Sequence, residues 1–315
     1  MDPSLPLFVV NPASGGGRTG KTFGSMRATI ERTLGPIAVE QTGARGHGID
    51  VARAGAERGH PLVVAVGGDG TFHEVCNGVL EAKVDKRPEV GLVAQGTGGD
   101  FRRTVGLEHR LETYLAALAS KKTRPLDVGR LTYRDHTGQQ AHRYFVNILS
   151  AGMGGLVDRY VAEAPAAIGG KAAYFSASVR ALLRIKEGRL VCKSELAGVT
   201  DERRLATFMF AICNGRYFGG GMHVAPMAQP DDGAFEVVSL GARSKLAFAV
   251  QSSSIYEGKH LDKPGTQHFR CDRLELDLVD DAARDVFLLD VDGEPLGGLP
   301  ITVELIRHAL TLRCP

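Results

Sequence analysis

The chain has 315 residues, of which 40 are Gly and none is Trp. That Gly share is about twice the ordinary 7%, yet no three-residue Gly period exists, which excludes a collagen-like rod. Lys and Arg number 38 against 36 Asp and Glu, so the net charge of +2 excludes nucleic-acid binding by bulk charge.

Taken in chain order, the first ~130 residues alternate short apolar runs with helical patterns. Leu7–Val10 reads as a strand ending at Asn11-Pro12, and Phe23, Met26, Ile30 and Leu34 follow at helical spacing. Ile37–Val39 reads as a strand and Ile49–Ala56 as a helix. Leu62–Val66 is apolar throughout and stops at Gly67-Gly68, the pattern of a strand buried on both faces in a parallel sheet. Phe72, Val75, Val79 and Leu80 form a helical face, Val90–Val93 a fourth strand, and Leu111–Leu118 a helix. This alternation predicts an open parallel α/β domain over 1–127.

From residue 128 the pattern changes. Val128–Tyr133, Tyr144–Ile148, Leu190–Leu196, Thr207–Cys213, Phe235–Leu240, Leu274–Leu278, Val286–Asp290 and Ile301–Ile306 read as strands, with a helix at Ala172–Lys186 among them. Leu274, Leu276 and Leu278 alternate with Glu275 and Asp277, as in a sheet buried on one face. The expectation is an antiparallel β-sandwich domain over 128–315. The five Cys residues (Cys76, Cys192, Cys213, Cys271 and Cys314) have neither metal-ligand spacing nor a disulfide framework, and read as reduced thiols in a cytoplasmic protein. No secretion signal is expected at Met1–Pro6, and no apolar run is long enough to span a bilayer.

Glycines cluster where the apolar runs stop. Loops Asn11–Gly17, Gly67–Thr71 and Gly96–Asp100 each follow a predicted strand of the first domain. Ligands of open α/β sheets bind beyond the carboxyl ends of the strands, so the loops should converge on one crevice. Gly brings backbone N–H groups close to an anion, and the following helix N-terminus favours phosphate. Asp69 and Asp100 sit inside two of these loops, where bare carboxylates would repel phosphates unless Mg2+ lies between them. Gly15–Thr22 also satisfies G-x-x-x-x-G-K-[ST], the P-loop pattern. Against a P-loop NTPase, Gly67–Thr71 has no role there, and the first domain lacks a strand ending directly in an acid.

Asn11-Pro12 with Ser14-Gly15, Gly67-Gly68-Asp69-Gly70-Thr71 with Glu74 and Asn77-Gly78, and Gly96–Phe101 together resemble the diacylglycerol kinase catalytic-domain family, which includes bacterial lipid kinases, sphingosine kinases and ceramide kinases. Ala225–Ala228 with Asp231-Asp232-Gly233, and Asp292-Gly293-Glu294, resemble signatures of its second domain. The middle motif alone is shared with NAD kinases and phosphofructokinases; the ordered set is specific. The resemblance implies ATP bound between an α/β domain and a β-sandwich domain, and transfer of its γ-phosphoryl group to a lipid hydroxyl, of diacylglycerol or of a sphingoid or ceramide-type lipid. By position it implies that Asn11, Ser14, Gly15, Thr42, Gly68, Gly70, Thr71, Gly96 and Thr97 line the nucleotide site. It further implies that Asp69 and Asp100 organise Mg2+, that Glu294 is the general base with Asp69 as its rival, and that Asp231 or Asp232 belongs to a structural Mg2+ site. Gly99 replaces the family's usual Asn, and His73, where many bacterial members have Asn, is similar to the sphingosine kinases.

Lys21, Arg18, Arg102 and Arg103 are cations near the loops, although such residues are more often solvated surface charge. The helix at Ala172–Leu183 reads either as packed on the sandwich or as an amphipathic membrane contact. The partners expected are a membrane lipid reached by peripheral association and a second copy of the chain, not nucleic acid. Two alternatives stay open: a soluble small-molecule kinase such as an NAD kinase, and a non-catalytic nucleotide- or lipid-binding regulator.

Overall fold

The computed structural model describes residues 2–96, 98–135, 137–164 and 170–314. The chain forms two compact units, Met1–Val128 with Arg307–Pro315, and Gly129–Ile306. The last nine residues therefore leave the second domain expected over 128–315 and join the first.

The first unit is a parallel sheet. Its strands are β1 (Leu7–Val10), β2 (Ala38–Gln41), β3 (Leu62–Gly67) and β4 (Glu89–Ala94), in the order β2-β1-β3-β4. β1 and β3 are buried throughout, as their unbroken apolar sequences require in a sheet covered on both faces. The covering helices are α1 (Arg18–Leu34), α2 (His47–Arg58), α3 (Asp69–Glu81) and α5 (Leu111–Ala119), with a short α4 (Asp100–Thr104) between β4 and α5. α1 buries Phe23, Met26 and Ile30, the stripe that its spacing foretells. The end of the chain completes the sheet: Leu312 pairs in parallel with Val90, and Arg313 pairs with Glu89. A strand at this position covers the edge that β4 would otherwise present to solvent. Buried Asp127 accepts the backbone N–H of His308 at 2.7 Å, so the returning strand is also held by a carboxylate.

The order β2-β1-β3 means that the chain leaves β1 toward one side and resumes at β3 on the other. That reversal opens a crevice beyond the carboxyl ends of β1 and β3.

The second unit is antiparallel. One sheet runs β12 (Thr266–Cys271), β11 (Phe235–Leu240), β10 (Met209–Cys213), β7 (Ile148–Gly152), β14 (Leu288–Val291), β15 (Glu294–Gly298). The other contains β13 (Arg273–Leu278) between β8 (Gly188–Leu196) and the last strand β16 (Ile301–Arg313), with β9 (Val199–Thr207) beyond β8. The hairpin of β5 (Thr123–Arg134) and β6 (Gln140–Phe145) continues it. Their inner faces share one core, in which Phe145 stacks on Phe235 with ring centroids 5.4 Å apart. Leu274, Leu276 and Leu278 all point into that core, as the alternation predicts. Three helices decorate the unit: α6 (Met153–Glu163), α7 (Gly170–Arg184) and α8 (Lys245–Ser252). The sequence reading identified only α7 among them. All five cysteines are free and buried.

Candidate active site

The three glycine loops of the first unit lie against one another. Asn11 follows β1, and its side-chain Nδ2 donates to Thr71 Oγ1 at 3.2 Å, while its Oδ1 accepts the N–H of Ala13 at 3.0 Å. Ser14 Oγ accepts the N–H of Gly68 at 3.2 Å, tying the first loop to the second. A Cβ on Gly96 would lie 2.6 Å from the Cα of Gly68, so the second and third loops touch backbone to backbone. Thr42, at the end of β2, donates its N–H to Val10 O at 2.8 Å and so sits on the same edge of the sheet. Gly70 is exposed in the first turn of α3. Thr97 lies outside the described residues.

Gly15, Gly16 and Gly17 adopt φ of 63°, 68° and 82°, a left-handed run that only glycine tolerates in succession. The run returns the chain so tightly that the N–H groups of Gly17, Thr19 and Gly20 bond to the carbonyls of Ala13, Ser14 and Pro12. Those amides are the ones that a P-loop reading would aim at phosphate. Their use inside the loop argues against it, although the residue pattern matches.

Asp69 braces the third loop. Its Oδ2 accepts the N–H of Gly99 at 2.8 Å and its Oδ1 that of Phe101 at 3.3 Å, which satisfies two donors at the start of α4. Asp100 is buried and pairs with Arg103 Nη1 at 2.6 Å. The two carboxylates approach a common point: a Cβ on Gly98 would stand 2.9 Å from Asp69 Oδ2 and 3.8 Å from Asp100 Oδ2. Mg2+ typically takes one or two carboxylates and completes its shell with water and phosphate oxygens. This acid pair fits that demand; among the described residues no group of three His, Cys, Asp or Glu forms a complete metal cage.

Cations lie beside the same loops, and one of them, Arg103, pairs with Asp100. Arg18, Arg102 and Arg103 all bear on His109; burial first, then these guanidiniums, push its imidazole below the usual range. His109 Nδ1 lies 2.9 Å from the hydroxyl of Tyr114, which burial raises to about 12. Arg102 Nη1 donates to Leu107 O at 2.8 Å, while its Nε is buried without a hydrogen-bond partner. This placement explains the departure at residue 99. Gly99 has φ 66°, and a Cβ there would stand 2.9 Å from Arg102 Nε. The glycine makes room for the guanidinium.

The second unit carries an acidic turn of its own. Val291 pairs with Glu294 across the β14–β15 hairpin, so Glu294 is the first residue of a strand rather than the turn residue expected from its flanking Gly293 and Pro295. It is only 9% exposed, with Arg143 Nε 3.9 Å from its Oε2. The turn itself is Asp292-Gly293, and Asp292 takes φ 52°. Its carboxylate accepts the N–H groups of Val146, Asn147 and Ile148 at 2.8, 3.1 and 2.8 Å. Asp290 Oδ1 accepts the N–H of Gly293 at 2.7 Å, and its Oδ2 faces Ser150 Oγ at 3.4 Å. Burial, reinforced by the Asp158 carboxyl beside it, holds Asp290 well above the usual carboxylate range. Asp292→Ala is expected to lower stability by about 3 kcal/mol or more, because three backbone donors lose a charged acceptor and Ala is strained at positive φ. A thermal melt measures this. Asp292→Asn, which tolerates that φ, should recover part of the loss.

Other residues singled out in the sequence take structural places. Glu74 accepts the N–H groups of Gly46 and Gly48, each at 2.8 Å, and so caps α2. His73 is wholly buried in α3, with its Nε2 3.3 Å from Asn77 Nδ2. That setting gives no support to a role in choosing the acceptor. Asp232 pairs with Arg270, which also meets Glu236 at 3.1 Å, and accepts the N–H of Ala234 at 3.2 Å. Asp231 precedes it in the same loop. Asp290 was absent from the expected site, and Asp292 entered it only as part of a motif; the alternation of acids over Asp290, Asp292 and Glu294 was the available signal.

Comparison with known proteins gives the family and the fold. The model of the diacylglycerol kinase catalytic domain covers residues 6–131, and that of the YegS C-terminal NAD kinase beta sandwich-like domain covers 147–314. A Chromohalobacter salexigens protein named "Probable lipid kinase YegS-like" is 29% identical over 89% of this chain and 84% of its own length. A diacylglycerol kinase of Bacillus subtilis is 27% identical over 96% and 93%. The crystal structure of a diacylglycerol kinase from Bacillus anthracis str. Sterne has the same fold, with a TM-score of 0.71 at 19% identity over 99% of this chain and 97% of that one. Three interlocked glycine loops with paired acids in an α/β unit, and an Asp-Gly-Glu hairpin in a β-sandwich, place this chain in the diacylglycerol kinase and YegS family of lipid kinases.

Proposed function

We propose that the protein transfers the γ-phosphoryl group of ATP, with Mg2+, to the hydroxyl of a membrane lipid, diacylglycerol in the first instance. The observation that carries this reading is the meeting of Asp69 and Asp100 beside Gly98, inside interlocked loops and among Arg18, Arg102 and Arg103. Asn11, Ser14, Gly15, Thr42, Gly68, Gly70, Thr71, Gly96 and Thr97 would line the nucleotide site. Asp69 and Asp100 would hold Mg2+, which when bound neutralises phosphate charge. Phosphoryl transfer asks the protein mainly for in-line positioning and charge stabilisation. The arginines supply fixed positive charge for the phosphates. Glu294 Oε2 accepts the proton of the lipid hydroxyl as its oxygen bonds to the γ-phosphorus and the bridging oxygen leaves with ADP. Arg143 and the Asp290–Asp292 hydrogen bonds hold Glu294 in place.

A sphingoid or ceramide-type lipid is the alternative acceptor. The test is incubation with γ-labelled ATP, Mg2+ and separate samples of diacylglycerol, ceramide, sphingosine, phosphatidylglycerol and NAD. Labelled phosphatidic acid is the expected product. Labelled NADP, or nucleotide binding without transfer to any lipid, would overturn the reading.

A further inference from the structure

α7 shows large apolar side chains on both of its faces. It buries Ala173, Ala177 and Ala181 and packs Tyr174 and Leu182 partly against the sandwich, yet turns Phe175, Val179 and Leu183 to solvent. Phe175 and Leu183 are 72% and 74% exposed. A helix seated on a core ordinarily keeps its large apolar side chains on the buried face. α8 likewise exposes part of its apolar set, with Leu246 and Val250 75% and 69% exposed although Phe248 is buried. The two helices are joined where their stripes meet, because Lys245 Nζ donates to Leu183 O at 3.0 Å. Of the eight large apolar side chains exposed among the described residues, five lie on these two helices. Contiguous exposure of this kind marks a docking surface rather than ordinary scatter.

The surrounding charge identifies the occupant. No Asp or Glu occurs between residues 164 and 186 or between 241 and 256, whereas Arg180, Arg184, Lys186, Arg243 and Lys245 do. Arg180 and Lys186 pair with Glu163 and Asp285 in exposed contacts, which hold such side chains only weakly. Apolar side chains rimmed by basic residues, two of them in weak exposed pairs, suit the interface of an anionic bilayer, where the stripe enters the acyl boundary and the cations meet headgroup phosphates. No helix among the described residues is long and apolar enough to cross a membrane. We infer that the outer faces of α7 and α8 dock this protein onto an anionic lipid surface. The inference deepens the lipid-kinase reading and rests on it for its purpose, though not for its test.

The experiment is vesicle flotation of the full chain, without ATP, on phosphatidylcholine vesicles with and without phosphatidylglycerol. Wild type should float with the anionic vesicles and lose most of that binding in high salt. The variant F175S/L246S should bind about tenfold or more weakly, and R184E/R243E should lose the preference for anionic vesicles. Neither pair touches the core, and a thermal melt checks that folding is unchanged. Phosphorylation of a short-chain, monomerically dissolved diacylglycerol is measured separately and should be the same in all three proteins. Wild type that ignores vesicles, or variants that float as wild type does, overturns the docking surface. So does a dimer by ultracentrifugation that F175S/L246S dissolves, with no vesicle binding, since a second copy then covers the patch. Failure of turnover on the dissolved lipid bears instead on the proposed reaction.

Discussion

Glu294→Gln is expected to lower kcat by about a hundred- to ten-thousand-fold, the range that a positioned general base contributes. The substitution keeps the shape of the side chain and removes its capacity to take a proton. Glu294 is well set for that task. It is buried at the start of β15, and its neighbour Gly293 is pinned by Asp290 while Asp292 is pinned by three amides of the β6–β7 connection. A carboxylate on so fixed a hairpin loses little ordering entropy when a hydroxyl arrives. ATP binding, measured by calorimetry without acceptor, should stay as in wild type, since the nucleotide residues proposed lie in the other unit. Turnover equal to wild type in the Gln variant would falsify the assignment and return the role to Asp69.

Asp69→Asn should cost about a hundred- to a thousand-fold in kcat, comparable to removal of a preorganised electrostatic group. Two causes act together. The variant removes one of the two charges that meet beside Gly98, and it turns one carboxylate oxygen into an amide donor facing the N–H of Gly99 or Phe101. A donor against a donor leaves a helix start unsatisfied and loosens the third loop. The measurements are kcat as a function of Mg2+ concentration and hydrogen exchange over 98–103. The expected outcome is a weaker response to Mg2+ with faster exchange in that loop, while ATP binding in the absence of Mg2+ is retained, because a negative charge near the phosphates has gone. A variant with an unaltered Mg2+ profile would show that Asp69 is only a loop brace.

The α/β unit was legible because its strands are short, apolar throughout and closed by glycine, and because parallel strands buried on both faces admit few other residues. The buried stripe of α1 follows from spacing alone. The hairpin partners β6, β9 and β12 were harder to read. Their exposed faces carry charged and polar residues, which break up the apolar runs that mark the other strands. Asp292 looked like a motif acid, and only the structure shows it spending its carboxylate on three amides more than a hundred residues earlier in the chain.

By itself, then, the sequence determined the class of each unit, the three loops that interlock and the family to which they belong, because these rest on local patterns: apolar runs, glycine punctuation and short motifs. Tertiary structure alone decided that the chain's end closes the first sheet, that Gly99 clears space for Arg102, that Glu294 begins a strand, and that α7 shows Phe175, Val179 and Leu183 to the outside. Each of these depends on what a residue meets across long stretches of chain, and no local pattern carries that information.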